Sequence, residues 1–585
     1  MKTIYLILIL LISCISAQSQ QKTYCNPINI DYAYCPIEPF VTQGKHRATA
    51  DPVITFFKGN YYLFSTNQWG YWISSDMLKW KFHSRKFLRP EHKVWDELCA
   101  PTLSFVNDTL LVKGSTHTKE FPIWMSTHPE KNEWKELVHK SEAAAWDPQI
   151  FWDEEKDELY EYYGSSNLYP LYGVKLNRKT FQPEGDRVPV LALNDDEHGW
   201  ERFGENNDNT FLQPFTEGAF VTKYNSKYYL QYGAPGTEFS GYADGVYVGK
   251  HPLGPFEYQS HNPFSYKPGG FARGAGHGAT FQDANGTYWH TATIGICVKN
   301  NFERRIGIWP AGFDADDVMY SNTAYGDYPT FLPVEQKGHW SESFAGWMLL
   351  NYNKPVQVSS TFGGFQPNFA VDEDIKTYWS AKSGNKSEWY QTDLGEVATV
   401  HAIQINYADQ DATLMGKPDN PAGHQYILYG SDDGKKWRII LDKSMNKQDV
   451  PHEYVELATP VKCRFIKIQN LGVTSGTFAL SGFRVFGKGS GDKPDAVQNF
   501  IPLRSGPKVK GERRNVWFKW QQEPSADGYV IYFGKSPDKL YGSIMVYGKN
   551  EYYFNGLDRS DVYYFQIEAF NSNGIGPRSE VKKSE

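Results

Sequence analysis

From about residue 45 to 335 the chain runs in short alternations of apolar and polar positions. A polar turn leads into an aromatic strand, and the unit returns. Lys58-Gly59-Asn60-Tyr61-Tyr62-Leu63-Phe64 compares with Asn225-Ser226-Lys227-Tyr228-Tyr229-Leu230-Gln231 and with Asn285-Gly286-Thr287-Tyr288-Trp289-His290. Asn107-Asp108-Thr109-Leu110-Leu111-Val112 and Lys156-Asp157-Glu158-Leu159-Tyr160 are weaker copies. Short strands returning roughly every 50–70 residues, at about four per repeat, mark a β-propeller, and five copies predict five blades. Little of this region has the period of a long amphipathic helix.

Alternation of period two returns near the C-terminus in Val516-Trp517-Phe518-Lys519-Trp520, Tyr529-Val530-Ile531-Tyr532-Phe533 and Tyr563-Tyr564-Phe565-Gln566-Ile567-Glu568-Ala569. The fold class is all-β throughout. At 585 residues the chain is too long for one core, and three or four domains are expected. Lys488-Gly489-Ser490-Gly491-Asp492-Lys493-Pro494 reads as a short flexible linker.

Three acids open apolar runs inside the repeats: Ala50-Asp51-Pro52, Trp146-Asp147-Pro148 and Thr216-Glu217-Gly218. Taken alone, an Asp-Pro pair is a turn or strand-start signal. Proline pushes the preceding residue toward extended backbone, so each Asp is expected at the first residue of a strand. In a propeller the innermost strand of every blade lines the central channel, so these acids should converge. A cluster of three carboxylates is costly unless it serves some chemistry. Glycoside hydrolysis uses such a cluster, because one acid protonates the leaving oxygen and one carboxylate activates water.

Here the residues resemble a family. Residues 25–335 are similar to glycoside hydrolase family 43, five-bladed propellers that act as exo-glycosidases and arabinanases. The resemblance rests on the three acid motifs in this order. It implies Asp51 as general base, Glu217 as general acid, and Asp147 as the residue that raises the acid's pKa and orients it, with inversion at the anomeric carbon. It also implies that His277, in Ala275-Gly276-His277-Gly278, supports a central calcium ion, and that Arg304 lies near the sugar. The plain alternatives are a core histidine and a structural salt bridge. No organic cofactor is implied.

Residues 345–488 resemble a factor 5/8 type C (discoidin-like) jelly-roll, through Asn368-Phe369-Ala370-Val371-Asp372, Thr377-Tyr378-Trp379-Ser380, Asp393-Leu394-Gly395 and Ser431-Asp432-Asp433-Gly434. Such domains often hold calcium near the Asp372–Thr377 loop, but Ser481 stands where a glutamate ligand is often found. Residues 495–585 resemble a fibronectin type III sandwich, expected to act as a spacer or docking unit.

Aromatic residues are 16% of the chain, which suits stacking on sugar rings as well as β-rich cores. Trp69, Trp72 and Trp95 are candidates for a stacking wall, with Trp69 and Trp95 assigned to substrate. The segment from Trp200 to Phe215 is expected to cover the pocket. A net charge of -7 without a basic domain excludes nucleic acid as a partner, leaving oligosaccharide or polysaccharide.

Met1-Lys2 followed by the apolar run to Ile12 is a secretory signal, too short to span a membrane. Either it is cut after Ala17, or Leu11-Ile12-Ser13-Cys14 is a lipobox and Cys14 becomes a lipid anchor. Export to the periplasm, the exterior or an outer-membrane tether follows, with no membrane span. The later cysteines show no metal-ligand spacing, and a Cys25–Cys35 bridge is one open pairing.

The expected activity is that of an inverting exo-glycosidase cleaving terminal α-L-arabinofuranosyl or β-xylosyl units from plant-type polysaccharide. The alternatives are a β-galactofuranosidase or galactanase of the same fold, a retaining propeller glycosidase, and a non-catalytic glycan-binding protein.

Overall fold

Each of the five turn-and-strand copies is the first hairpin of a four-stranded antiparallel sheet in the computed structural model. The model describes residues 22–88, 97–143, 146–332, 343–418, 421–504 and 512–584. The signal segment with Cys14, and Trp95, lie outside the described residues. The sheets begin with the strands Val53–Phe57, Cys99–Val106, Gln149–Asp153, Glu217–Tyr224 and Gly274–Gln282. They end with Lys81–Ser84, Glu133–Val138, Val188–Leu191, Phe256–Tyr258 and Met319–Ser321. Lys58-Gly59 and Asn225-Ser226 have positive φ at both residues, the twist that a two-residue hairpin needs. The first strand of each sheet packs on the first strand of the next, and the fifth returns to the first. The five leading strands thus form a closed ring, and the residues at their N-terminal ends face one another.

The second region is an eight-stranded antiparallel system in which Trp389–Tyr407 and His452–Gly472 are the long central strands. Trp379 is fully buried in its core, against Tyr390 and Phe478. The third region has two sheets. One holds Ile501–Arg504, Val516–Lys519 and Glu551–Phe554. The other holds Gly528–Gly534, Gly542–Tyr547 and Tyr563–Asn571, with two short strands beside the last.

One expectation about the joins is corrected. The segment 488–494 is pinned to the third region: the Gly489 amide donates to the Ser572 carbonyl and the Gly491 amide to Asn573 Oδ1, 2.9 Å. Of the two roles expected for the third region, its packing is that of a docking unit. Its Phe554 and Val546 share one apolar core with Trp200 and Tyr266 of the propeller. His198 meets Asp558 Oδ1 at 2.9 Å across the same join. The second region reaches the propeller through Arg484, which donates to the Asp327 carbonyl at 2.6 Å while pairing with both oxygens of Glu373 in its own region, at 2.9 and 2.8 Å.

Cys25, Cys35, Cys297 and Cys463 form no disulfide. The thiol of Cys25 donates to the Asp327 carbonyl and Cys35 sits in an apolar cluster with Ile37 and Ala48, so the open Cys25–Cys35 pairing is not formed.

Candidate active site

Asp51 and Asp147 do not have the extended backbone that a following proline favours. Their φ values are +52° and +54°, and the strands begin two residues later, at Val53 and Gln149. Aspartate tolerates this left-handed region better than most residues. A hydrogen bond holds each one there. The Asp51 amide donates to Thr293 Oγ1 at 2.9 Å, and the Asp147 amide to Ser115 Oγ at 2.8 Å. Ala100, before Pro101, repeats the device with φ +42° and an amide bonded to Thr66 Oγ1 at 2.8 Å. The second sheet therefore carries the same backbone corner without its acid. The sequence signal was Cys99-Ala100-Pro101, which a search for acids passes over.

Glu217 opens its strand as expected. Tyr242 donates to its Oε1 at 2.5 Å and Ser165 to its Oε2 at 3.1 Å, so both oxygens are aimed. Gly218 follows with φ +67°, and a Cβ there would come within 2.6 Å of the His277 ring. That close approach explains the Glu-Gly pair: the glycine makes room for the imidazole.

His277 lies between the acids, its Nδ1 3.4 Å from Asp51 Oδ1 and 3.9 Å from Asp147 Oδ2. Its own backbone is left-handed, φ +48°, and Asp244 secures it. The amides of His277 and Gly278 donate to the two Asp244 oxygens, at 2.7 and 2.8 Å. Arg304 Nη1 lies 3.4 Å from Asp51 Oδ1 and 3.1 Å from Thr237 Oγ1. The structure thus brings Asp51, Asp147, Glu217, His277 and Arg304 to the wall of one cavity of about 810 Å³.

The electrostatics divide the acids. Burial pushes the Asp51 carboxyl up, but Arg304, His277 and the hydroxyls of Thr66 and Thr293 outweigh it and hold it below the ordinary range. Thr66 Oγ1 donates to Asp51 Oδ2 at 2.6 Å. Burial, followed by the charges of Glu217 and Asp51, pushes Asp147 up to about 7 in spite of His277. Its Oδ2 is buried with no hydrogen-bond partner. Burial lowers the His277 imidazole, but Asp51, Asp147, Glu217 and Asp244 raise it above its usual value overall. Asp51 is thus pushed toward its ionised form and Asp147 toward its protonated one.

A test on stability follows from Asp147. Its folded pKa of about 7 lies above the unfolded value of about 3.9. Between those values the folded state binds more protons, so this residue's contribution to stability falls as pH rises through the window. Asp147→Asn removes that contribution. The thermal midpoint of the variant relative to wild type should rise from pH 4 to pH 7. A difference independent of pH would contradict the buried, proton-holding state.

The donor atoms of Asp147, Glu217 and His277 lie within 4.8 Å of one another. Calcium takes six to eight oxygen ligands. This set offers three donors, one of them the unpartnered Asp147 Oδ2 and one an imidazole nitrogen, so a calcium ion here would take most of its oxygen ligands from elsewhere.

The aromatic wall differs from expectation. Trp72 is fully buried and donates to Asp31. Trp69 packs beside Gly416 of the second region, with the Lys86 amine over its ring, and does not line the cavity. The rings that do line it are Phe40, Trp146, Phe203, Phe215 and Phe302. Phe40 stacks on Phe302 at 5.1 Å, and the Arg304 guanidinium lies over Phe302 at 5.0 Å. From the segment expected to cover the pocket, Phe203 and Phe215 reach it, whereas Trp200 is buried in the join to the third region. Trp146 is 37% exposed and sits directly before Asp147, which suits a sugar platform. Trp146→Ala should raise KM on glycosides about 3–10-fold with kcat little changed, the scale of an aromatic contact. A kcat loss without a KM change would contradict that role.

Residues 42–319 match the family model described as Glycosyl hydrolases family 43. The match spans just under half of the chain, and this region is similar to the family 43 glycosidases. Residues 355–482 match the F5/8 type C domain, so the second region is discoidin-like. No curated protein matches the chain. Among solved structures the chain is similar to an endo-1,4-beta-xylanase from Bacteroides thetaiotaomicron VPI-5482, at 20% identity, 50% of this chain, 96% of that one and a TM-score of 0.40. It is similar to xylan beta-1,4-xylosidase from Bacillus halodurans C-125, at 12% identity, 80% and 100% coverage and a TM-score of 0.41. An exo-1,5-alpha-L-arabinanase from a bovine ruminal metagenomic library matches at 21% identity, 47% and 97% coverage and a TM-score of 0.35. Among the described residues no helix is long and apolar enough to cross a membrane.

Proposed function

We propose that the family 43 domain is an inverting exo-glycosidase that removes terminal α-L-arabinofuranosyl or β-xylosyl units from plant-type polysaccharide. The observation that carries this reading is the three carboxylates on one cavity wall with different surroundings. Asp51, held ionised by Arg304 and two hydroxyls, activates the water. Glu217, aimed by Tyr242 and Ser165, protonates the leaving oxygen. Asp147, buried beside it, orients the acid. Arg304 and the rings of Trp146 and Phe302 bind the sugar.

The five sheets are read as five blades, and the third region as a fibronectin type III sandwich. The protein is read as exported, with the discoidin-like domain available to polysaccharide. A panel of nitrophenyl furanosides and pyranosides, followed by proton NMR of the first-formed anomer, tests the reading. Turnover with an inverted product is expected. A retained product would make Asp51 a nucleophile, and absence of turnover on every glycoside would favour a glycan-binding role.

A further inference from the structure

Two segments of the propeller bring Asp51 and Arg304 together, and both are held from outside it. The first is Arg47-Ala48-Thr49-Ala50-Asp51. The second is Glu303-Arg304-Arg305. The Arg47 side chain is 1% exposed, and its guanidinium is engaged by the F5/8 type C domain. Nε donates to Asp409 Oδ1 at 3.2 Å, and the two terminal nitrogens donate to both oxygens of Asp449, at 2.9 and 2.6 Å. Arg305 lies 3.7 Å from the other Asp409 oxygen and donates to His452 of the same domain at 2.8 Å. Arg305 Nη1 also donates to the carbonyls of Arg47 and Arg304, at 3.0 and 2.9 Å, which stitches the two segments side by side. Lys299 closes the knot, its amine bonded to the carbonyls of Lys45 and Asp409.

The apolar side of the wall is braced in the same way. Tyr34 donates its amide to the Gly416 carbonyl at 2.9 Å, and Met415 packs in the cluster of Cys35, Ile37 and Ala48 that lines the cavity. Burial raises the Asp409 carboxyl, but Arg47, Arg305 and Lys299 bring it below its ordinary value, so it stands as a charge between the two arginines.

We propose that the F5/8 type C domain is a structural part of the catalytic pocket, and that Asp409 is a positioning residue that sets Asp51 and Arg304 through Arg47 and Arg305. Loss of the Asp409 charge leaves Arg47 its two Asp449 bonds but takes from Arg305 the carboxylate beside it, and Arg305 is bonded to the backbone of both segments, so they would shift together. A misplacement of about 1 Å at reacting groups can cost about 10²-fold in rate.

The proposal rests on the assigned roles of Asp51 and Arg304, and its test separates the two. Asp409→Asn is made in the full chain, beside Glu373→Gln, which breaks the buried ion pair with Arg484 inside the F5/8 type C domain, away from the cavity. Asp409→Asn should lower kcat/KM on the best nitrophenyl glycoside about 10–100-fold, well below its unfolding temperature. Combined with Arg304→Ala, its effect should be less than additive. Glu373→Gln should lower thermal stability with kinetics unchanged. Hydrogen exchange read by mass spectrometry should rise across 45–51 and 303–306 in Asp409→Asn alone. Lys299→Met, a milder cut in the same knot, should move both readouts in the same direction. Equal kinetic effects of Asp409→Asn and Glu373→Gln would overturn the proposal, as would unchanged exchange in the two segments. A wild type without glycosidase turnover would sink the functional reading, while the exchange measurement still decides whether Asp409 sets the two segments.

Discussion

Asp51→Asn should lower turnover on every glycoside by about 10²–10⁴-fold, the usual span for loss of a general base. Asparagine is nearly isosteric and tolerates the left-handed backbone that this corner requires. The amide bond to Thr293 is unaffected by the side-chain change. The fold should therefore survive, and the loss should report chemistry. In wild type Arg304, His277 and Thr66 favour the ionised carboxylate that accepts a proton from water. The amide of asparagine cannot accept that proton. Trapping separates the two mechanisms available to such a site. An inverting enzyme forms no covalent glycosyl-enzyme, so wild type treated with a 2-fluoro glycosyl fluoride should stay unlabelled in the mass spectrum. A covalent adduct on Asp51 would identify a nucleophile and remove the base assignment.

Glu217→Ala should produce a loss that depends on the leaving group. Protonation matters most when the departing oxygen is basic, so unactivated oligosaccharides should lose about 10²–10⁴-fold. Dinitrophenyl glycosides, whose phenolate departs unaided, should lose far less. The position of Glu217 argues for this role. Its two oxygens are held by Tyr242 and Ser165, which fixes their direction, and Asp147 lies close enough to exchange charge influence with it. A Brønsted plot of kcat/KM against leaving-group pKa makes the check. A steeper slope in the variant supports the general acid. An equal loss across the series would point to a binding or structural role instead.

The repeated turns and the three acids were legible because both are local signals. Lys58-Gly59, Asn107-Asp108 and Asn225-Ser226 each sit where a hairpin must reverse, between short runs rich in aromatic and aliphatic residues. His277 and Arg304 could be placed only through family resemblance, since a single histidine or arginine has no periodicity to mark it. The tryptophans were misplaced for a related reason. Trp69 and Trp146 both adjoin strand starts, and the side to which each ring turns depends on what another sheet or domain presents there.

By itself, the sequence determined the strand and turn pattern, the all-β class and the acids that open their sheets, because a turn's chemistry and a strand's alternation act over a few residues. The tertiary structure decided the rest. Asp51 and Asp147 take left-handed backbone against the preference that a following proline imposes, because Thr293 and Ser115, on neighbouring strands, hold their amides. Asp147 keeps its proton near neutral pH because ring closure buries it beside two other carboxylates. The register of Asp51 with Arg304 depends on Asp409 and Asp449, whose partner Arg47 lies 362 and 402 residues away in the chain. Such contacts form only when separate folded units meet, and no local pattern of residues encodes which surfaces will do so.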